Sequence, residues 1–434
     1  MESVTVDAAV AAAEMPRFDD GCVNMQELAR LLIEQVVNEV MDTVAAAAAE
    51  DAGTSRNGYR DRTLNTCVGT LELRIPKLRA GSFFPGDVMG RHSRTDRAML
   101  AAVVEMYRSG VSTRKVAGVA EALGAGELGK DQASRICERL DREVEDMNGR
   151  LFGPDVHFPY PWLDATYAKC RREGHVASTA VVTAIACDEN GNRYVVGFGV
   201  GDTESDESWL PFLRGLRDRG VPGVLLVVSD EHGGRARAVD EVARGAAWER
   251  SAVRLMRDCC AGAKSKSKGK RVARLLSPVF KAKDALVVRA AYHKAAEMAD
   301  TFCPAAAEIL DEAEADALAY LDFPPSHWKR LRANNVQERT NREIKRRSRV
   351  VQVFPSPESL IRLAGAIMAD ADDTWQQSRC FSQEKVGESW ALVEKRGEDG
   401  WDTSLPTEVE LTVASRFADS ILAAAEVEME REAA

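Results

Sequence analysis

Trp162–Tyr167 reads WLDATY and Val221–Asp230 reads VPGVLLVVSD. Both are short apolar runs carrying one aspartate, Asp164 inside the first and Asp230 at the end of the second. The residues between them decide the fold class. Val176–Cys187 is apolar and β-branched, Asp188-Glu189-Asn190-Gly191-Asn192 supplies turn residues, and Arg193–Val200 is again strand-like, so the spacing predicts a hairpin. Asp206–Arg219 has helical periodicity, and Val221–Ser229 has the unbroken apolar character of a strand buried on both faces. The order is therefore strand, hairpin, helix, strand.

That order resembles the start of a ribonuclease-H-like fold, in which a three-stranded meander precedes a helix and a strand parallel to the first. The first and fourth strands are then neighbours, and Asp164 and Asp230 converge. A carboxylate in a buried strand is costly unless positive charge opposes it. A hard cation such as Mg2+ suits carboxylate oxygens. A third carboxylate from a later helix would complete a two-metal site for in-line phosphoryl transfer. The competing reading is that each aspartate only caps a turn. Asn334–Val351, NNVQERTNREIKRRSRVV, reads as a polar helix with Glu338, Asn341, Arg342 and Lys345 near one face. Basic groups would hold phosphates while Glu338 reaches the metal. Taken by themselves, the residues leave Glu338 and Glu343 tied for that role. They also leave open a solvated helix with local ion pairs such as Glu343 with Arg347.

Outward from this centre, 434 residues allow two to four domains, and a hydrophobic fraction of 45% supports a sizeable core. No apolar run is long enough to span a bilayer. Met1–Glu14 lacks the basic start and apolar middle of a secretory signal, so the expected location is cytoplasmic, near the nucleoid. Nine cysteines form no CxxC pair and no disulfide framework. The net charge of −10 argues against a nucleic-acid partner until its distribution is considered. Acidic residues gather near the ends, as in Glu426–Glu432. Basic residues gather in two tracts. One, read as a loop, runs through Lys264, Lys266, Lys268, Lys270, Arg271 and Arg274. The other runs from Lys329 through Arg330, Arg332, Arg339, Arg342, Lys345, Arg346, Arg347 and Arg349.

Residues 1–58 read as helix, Ala-rich around Met25–Ala49. Residues 66–78 read as a short strand or hairpin, and Asp96–Arg108 as helix. Ser112 is placed to cap a helix over Thr113–Leu123, and Asp131 one over Gln132–Met147. Short helices joined by glycine turns are compatible with a helix-turn-helix module as well as with a plain helical bundle. Residues 233–330 read as mostly helical, and helices follow the Pro355–Pro357 break.

Five segments carry a family resemblance: Tyr59–Pro85, Tyr107–Val116 (YRSGVSTRKV), Trp162–Tyr167, Val227–Gly234 (VVSDEHGG) and Asn334–Pro355. The chain resembles the Mutator-type transposases of bacterial insertion sequences over residues 59–375, and the last segment is the most specific. The resemblance implies a ribonuclease-H-like core interrupted by a helical insertion, with Asp164, Asp230 and Glu338 as catalytic, metal-holding residues, so it favours Glu338 over Glu343. It implies two Mg2+ ions, with Mn2+ able to substitute, no covalent protein–DNA intermediate, and a homodimer or larger assembly on paired element ends. One departure stands out. Relatives usually carry Cys-x-x-His shortly after a tryptophan in the insertion. Here Trp248-Glu249-Arg250 is followed by Ser251-Ala252-Val253-Arg254, with Ser251 and Arg254 at those positions. Glu231 also stands where a small residue is usual.

The expected architecture is α/β and multidomain. Residues 1–58 form an N-terminal helical region and 59–150 a DNA-binding region. Residues 151–235 and 331–375 form the two parts of the core around the insertion of 236–330, and 376–434 are C-terminal helices. Double-stranded DNA is the expected partner. Phosphate or end contacts fall to His232, to the Arg339–Arg349 cluster with Asn341, to Lys264–Arg271, and to Ser112, Arg114, Lys115, Gln132 and Arg135. Trp248 is a candidate for stacking on a flipped base, whereas Trp162 reads as core. The expected function is metal-dependent strand cleavage and transfer at terminal inverted repeats. The alternatives are a nuclease or resolvase that does not rejoin strands, and a non-catalytic DNA-binding derivative of a transposase.

Overall fold

The computed structural model describes residues 15–86, 95–123, 129–201, 206–230, 238–239, 241–243, 245–375, 379–399 and 406–433. The chain divides into two compact units, Met1–Arg142 and Glu143–Ala434.

In the first unit, helix α1 (Met25–Asp51) starts at Asn24, whose side chain accepts from the Glu27 N–H. Strands β1 (Arg56–Thr66) and β2 (Gly69–Leu78) form an antiparallel hairpin, and Met41 of α1 packs with Leu64, Leu71, Leu73 and Ile75. The sequence signal covered β2 but hid β1. Arg56–Asp61 is exposed, so it lacks the in–out alternation that marks a half-buried strand. Asp96 caps α2 (Arg97–Arg108) and Ser112 caps α3 (Thr113–Ala122). The single helix expected from Gln132 is two, α4 (Lys130–Cys137) and α5 (Arg139–Asn148), and Gly129 rather than Asp131 holds the cap position. Helices α2, α3 and α4 pack on one another, and Met99, Val103, Val116, Ala120 and Ala133 are among their fully buried residues.

The second unit is built on a five-stranded sheet: β3 (Tyr160–Arg172), β4 (His175–Cys187), β5 (Arg193–Gly201), β6 (Leu226–Ser229) and β7 (Ala247–Arg250), in spatial order β5-β4-β3-β6-β7. The first three form an antiparallel meander. Helix α6 (Asp206–Asp218) intervenes, and β6 pairs parallel to β3, so the first and fourth strands of this unit are neighbours as expected. Strand β7, parallel to β6, lies in the stretch read as helical; four residues are too few to show a strand period. Successive β3 residues serve opposite faces. Tyr160 and Trp162 join the core shared with the following helices, and Leu163 joins Val182, Val227, Trp209 and Leu213 on the other side.

After β7 come α7 (Ala252–Gly262), α8 (Lys266–Val279), α9 (Ala285–Phe302), α10 (Pro304–Ala317), α11 (Trp328–Leu331), α12 (Asn335–Val351), α13 (Pro357–Trp375), α14 (Gln383–Asp399) and α15 (Glu408–Ala433). The lysine-rich stretch from Lys266 is the first turn of α8 rather than a loop. Its lysines are exposed, while Gly269 is buried where α8 crosses α7: a Cβ there would meet the Cys260 carbonyl oxygen at 3.1 Å. Among the described residues no helix is long and apolar enough to cross a membrane.

Helix α12 lies along β3 and is attached at both ends. The left-handed Gln352 (φ 65°) ends it, and the chain returns so that Phe354 N–H donates to the Lys169 carbonyl at 2.9 Å and the Phe354 carbonyl accepts from Arg171. The lengths match: a 17-residue helix is about 25 Å long, and β3 from Leu163 to Cys170 covers about 23 Å.

A buried polar cluster fastens α14. Tyr160 Oη lies 2.9 Å from His327 Nδ1 and touches Ser389 Oγ, which is 3.2 Å from the same nitrogen. Burial pushes the His327 imidazole down from 6.5 to about 4. The unfolded chain therefore takes up this proton below pH 6.5 while the folded chain resists it until about pH 4. We expect folding stability to fall as pH drops through that window, His327 contributing up to about 1.4 kcal/mol per unit. Urea midpoints at pH 7, 6 and 5 should show a shallower decline in His327→Gln, and equal slopes would assign the acid sensitivity elsewhere.

Candidate active site

Strands β3 and β6 pair with Leu163 opposite Ser229, so the next residues, Asp164 and Asp230, fall side by side. Ser229 is fully buried, and its hydroxyl accepts from Trp248 Nε1 at 2.8 Å. Trp248 thus braces the strand end from β7 and does not line the cleft below.

Helix α12 brings the third carboxylate through an unusual contact face. Asn334 stands at the cap position but makes no side-chain cap; its Nδ2 donates to the Leu163 carbonyl at 3.4 Å. Gln337, fully buried, donates to the Trp162 carbonyl at 2.7 Å and accepts from Thr183 Oγ1 at 2.8 Å. Asn341 Nδ2 donates to Asp164 Oδ2 at 2.7 Å. Positions 334, 337 and 341 share one helix face by three- and four-residue spacing. That face meets β3 and β4, and Glu338 stands beside it in the first turn.

Asp164, Asp230 and Glu338 line one cleft of about 590 Å3, with Ala165 and Asn341. Arg254 and Arg257 of α7 and Arg342, Lys345, Arg346 and Arg349 of α12 also line it. With Glu343 counted, four carboxylates face six cations, a local excess of two positive charges that favours a polyanion. A larger cleft of about 910 Å3 beside α6 is lined mostly by apolar residues, with Arg214 paired to Glu241, and offers no comparable set of carboxylates and cations.

Glu338 Oε1 lies 2.7 Å from Arg257 Nη2, and Asp230 Oδ2 lies 3.9 Å from Arg254 Nη1. Glu343 is engaged along its own helix, 2.9 Å from Arg346 and 3.7 Å from Arg347. The hydrogen bond from Arg346 holds its carboxyl below the ordinary range. The donor chemistry, carboxylate oxygens with an amide, suits a hard divalent ion. Among the described residues, no three His, Cys, Asp or Glu groups are gathered closely enough to form a ready metal cluster.

The other expected site residues fall in three places. His232 lies outside the described residues. Arg339 is exposed beside the cleft, and Arg347 is mostly buried against Asp370. Lys264 between α7 and α8, and Lys266, Lys268 and Lys270 at the start of α8, are exposed and do not line the cleft, and Arg271 stacks on Phe302 at 4.2 Å. In the first unit Arg114, Lys115 and Arg135 are exposed, Gln132 is half-buried, and Ser112 is a helix cap.

Sequence reasoning missed Asn334, Gln337 and Arg257. An amide inside a uniformly polar helix carries no burial signal. Arg257 sits one turn beyond Arg254, where the departure from Cys-x-x-His gave the only hint. Ser251 is buried at the α7 cap position.

The family model for the Mutator family of transposases matches residues 2–378. The chain belongs to this family. Among similar proteins, the transposase for insertion sequence element IS1081 of Mycobacterium tuberculosis is 37% identical over 335 residues, covering 77% of this chain and 80% of the relative. The transposase for IS256 in transposon Tn4001 of Staphylococcus aureus is 33% identical, over 79% of this chain and 88% of the relative. That for IS406 of Burkholderia multivorans is also 33% identical, over 88% and 98%.

Gln337 supplies buried hydrogen bonds that help hold α12 to the sheet. Gln337→Leu keeps the volume but leaves the Trp162 carbonyl and Thr183 hydroxyl without this partner. A loss of about 1–3 kcal/mol in unfolding free energy is expected by urea titration. Unchanged stability would show that the amide does not hold α12 to the sheet.

Proposed function

We propose that the chain is a DNA transposase that cuts and rejoins strands at the ends of an insertion sequence, with Asp164, Asp230 and Glu338 as its catalytic triad. The observation that carries this is the meeting of those three carboxylates, from β3, the end of β6 and the first turn of α12, in one cation-rimmed cleft of a transposase-family chain. The strand order and the parallel β3–β6 pair support a ribonuclease-H-like core interrupted by the helices between β7 and α12.

In this reading Asp164, Asp230 and Glu338 hold Mg2+ or Mn2+, which when bound supplies Lewis acidity and charge neutralisation at the phosphate. Asn341 fixes the Asp164 carboxylate by donating to one oxygen. Arg342, Arg346 and Arg349 hold the DNA backbone with guanidinium forks that suit phosphate oxygens, and Lys345 adds an ammonium charge beside them. Water attacks the phosphodiester at the element end and releases a 3′-hydroxyl. That hydroxyl attacks a target phosphate: its oxygen forms the new phosphodiester, the target's own P–O3′ bond breaks, and the proton the attacking hydroxyl loses to solvent is matched by the one the departing target 3′-oxygen takes up. Helices α2–α4, with Arg114, Lys115 and Arg135 exposed, are the proposed readers of the terminal inverted repeats. The working form is a homodimer on paired ends.

Asp164→Asn, Asp230→Asn and Glu338→Gln should each lower cleavage of a labelled element end by at least about 1,000-fold, the scale of removing a group essential in the transition state. End binding in a gel-shift should stay within a few-fold. Glu343→Gln should cleave at near wild-type rate. A dead Glu343→Gln beside an active Glu338→Gln would overturn the assignment, and cleavage without transfer of pre-cut ends would make the protein a nuclease.

A further inference from the structure

Helix α7 aims two arginines, one turn apart, at two different carboxylates of the cleft. Arg257 contacts Glu338 directly at 2.7 Å. Arg254 lies 3.9 Å from Asp230 and 3.2 Å from Asp258, which buried Arg250 holds from behind at 3.1 Å. Arg254 is thus tethered within reach of Asp230. Arg257 is looser, with 60% of its side chain exposed.

We propose that Arg254 and Arg257 are exchangeable counterions of the active site. In the DNA-free protein they neutralise Asp230 and Glu338, and when a divalent ion enters they transfer to a phosphate of the bound DNA. The proposal rests on the reading of the cleft as a carboxylate metal site. Its physical basis is competition for the same oxygens: a guanidinium on Glu338 Oε1 occupies an atom that a cation would take. Exposed ion pairs are weak and screened, so the ion can displace them. The freed guanidinium keeps its charge and planar fork, which match a phosphate better than a lysine would. The exchange keeps the charge in the cleft near balance at each stage, because a cation arriving on the carboxylates is accompanied by an anion arriving on the arginines.

The test is Mn2+ binding to the full chain without DNA, followed by electron paramagnetic resonance of the free ion, together with end cleavage at saturating Mn2+. Wild-type protein should bind Mn2+ and Asp164→Asn should lose binding. Arg257→Ala should bind about two- to five-fold tighter, the range a surface ion pair holds back, and Arg254→Ala should move the same way. Arg342→Ala removes a cleft cation with no such carboxylate contact and should tighten binding less. Despite tighter Mn2+ binding, Arg257→Ala should cleave on the order of tenfold more slowly through loss of a charge-assisted phosphate contact. Arg257→Lys should recover part of that rate. Both arginines are partly or largely exposed, so the variants are expected to fold. Unchanged or weaker Mn2+ affinity in Arg257→Ala, or equal tightening in Arg342→Ala, would overturn the proposal while leaving the metal site standing. Absence of Mn2+ binding in wild type as well as in Asp164→Asn would instead remove the metal-site reading, and the proposal with it.

Discussion

The amide face of α12 is the constraint on which the site depends. This helix is too polar to be held by an apolar stripe: its buried residues are Gln337, Thr340, Asn341 and Ile344. Hydrogen bonds take the place of apolar area. Buried amides are costly unless satisfied, so a face of this kind docks in one register. A slip of one residue would turn Gln337 away from Trp162 and Thr183 and carry Glu338 away from Asp164. An apolar face would tolerate such a slip more readily, because apolar contacts are not directional. The hydrogen bonds therefore contribute precision as well as stability, at the place where a carboxylate must be positioned against two strands.

Precision alone would not bring three carboxylates into one cleft. Like charges close together raise each other's cost. The fold offsets this group by group. Asp164 is met by an amide and by its neighbouring backbone N–H, while Glu338 and Asp230 are approached by arginines. The most deeply buried carboxylate accepts from neutral donors, and the more exposed ones face partly exposed arginines. That division suits a site in which one carboxylate is a fixed anchor and the others exchange partners.

The parts of this arrangement differed in how plainly the chain announced them. The strand order was readable because β3, β4 and β6 are apolar runs separated by turn residues, and it brought Asp164 and Asp230 together before any coordinates. The choice between Glu338 and Glu343 was not readable from spacing, since both lie on one polar helix; the family resemblance favoured Glu338, while spacing offered a Glu343–Arg347 pair and the structure adds Arg346 to it. Strand β1 escaped because its first half is exposed, and β7 because it is four residues long. The lysines of α8 looked like a loop because their composition is that of a solvated segment. Gly269 lets α8 pass close to Cys260, a tertiary contact that local sequence cannot express.

The overlooked strand proves to be what sets the arginines. Strand β7 pairs with β6 so that Arg250 lies opposite Ser229, and the next residue, Ser251, donates its N–H to the Ser229 carbonyl at 3.1 Å. That bond fixes where α7 begins, and Ala252 is held in turn by the Arg332 carbonyl at 2.9 Å. Arg254 and Arg257 follow at set distances along the helix. Ser229 is thus a common origin. Its hydroxyl accepts from Trp248, its carbonyl accepts from the start of α7, and the residue after it is Asp230. The carboxylate and the cations that face it are measured from the same point in the sheet. Ser251 and Arg254, the positions where the resemblance leads one to expect Cys-x-x-His, therefore divide the work: buried Ser251 fixes the start of the helix, and Arg254 reaches the cleft.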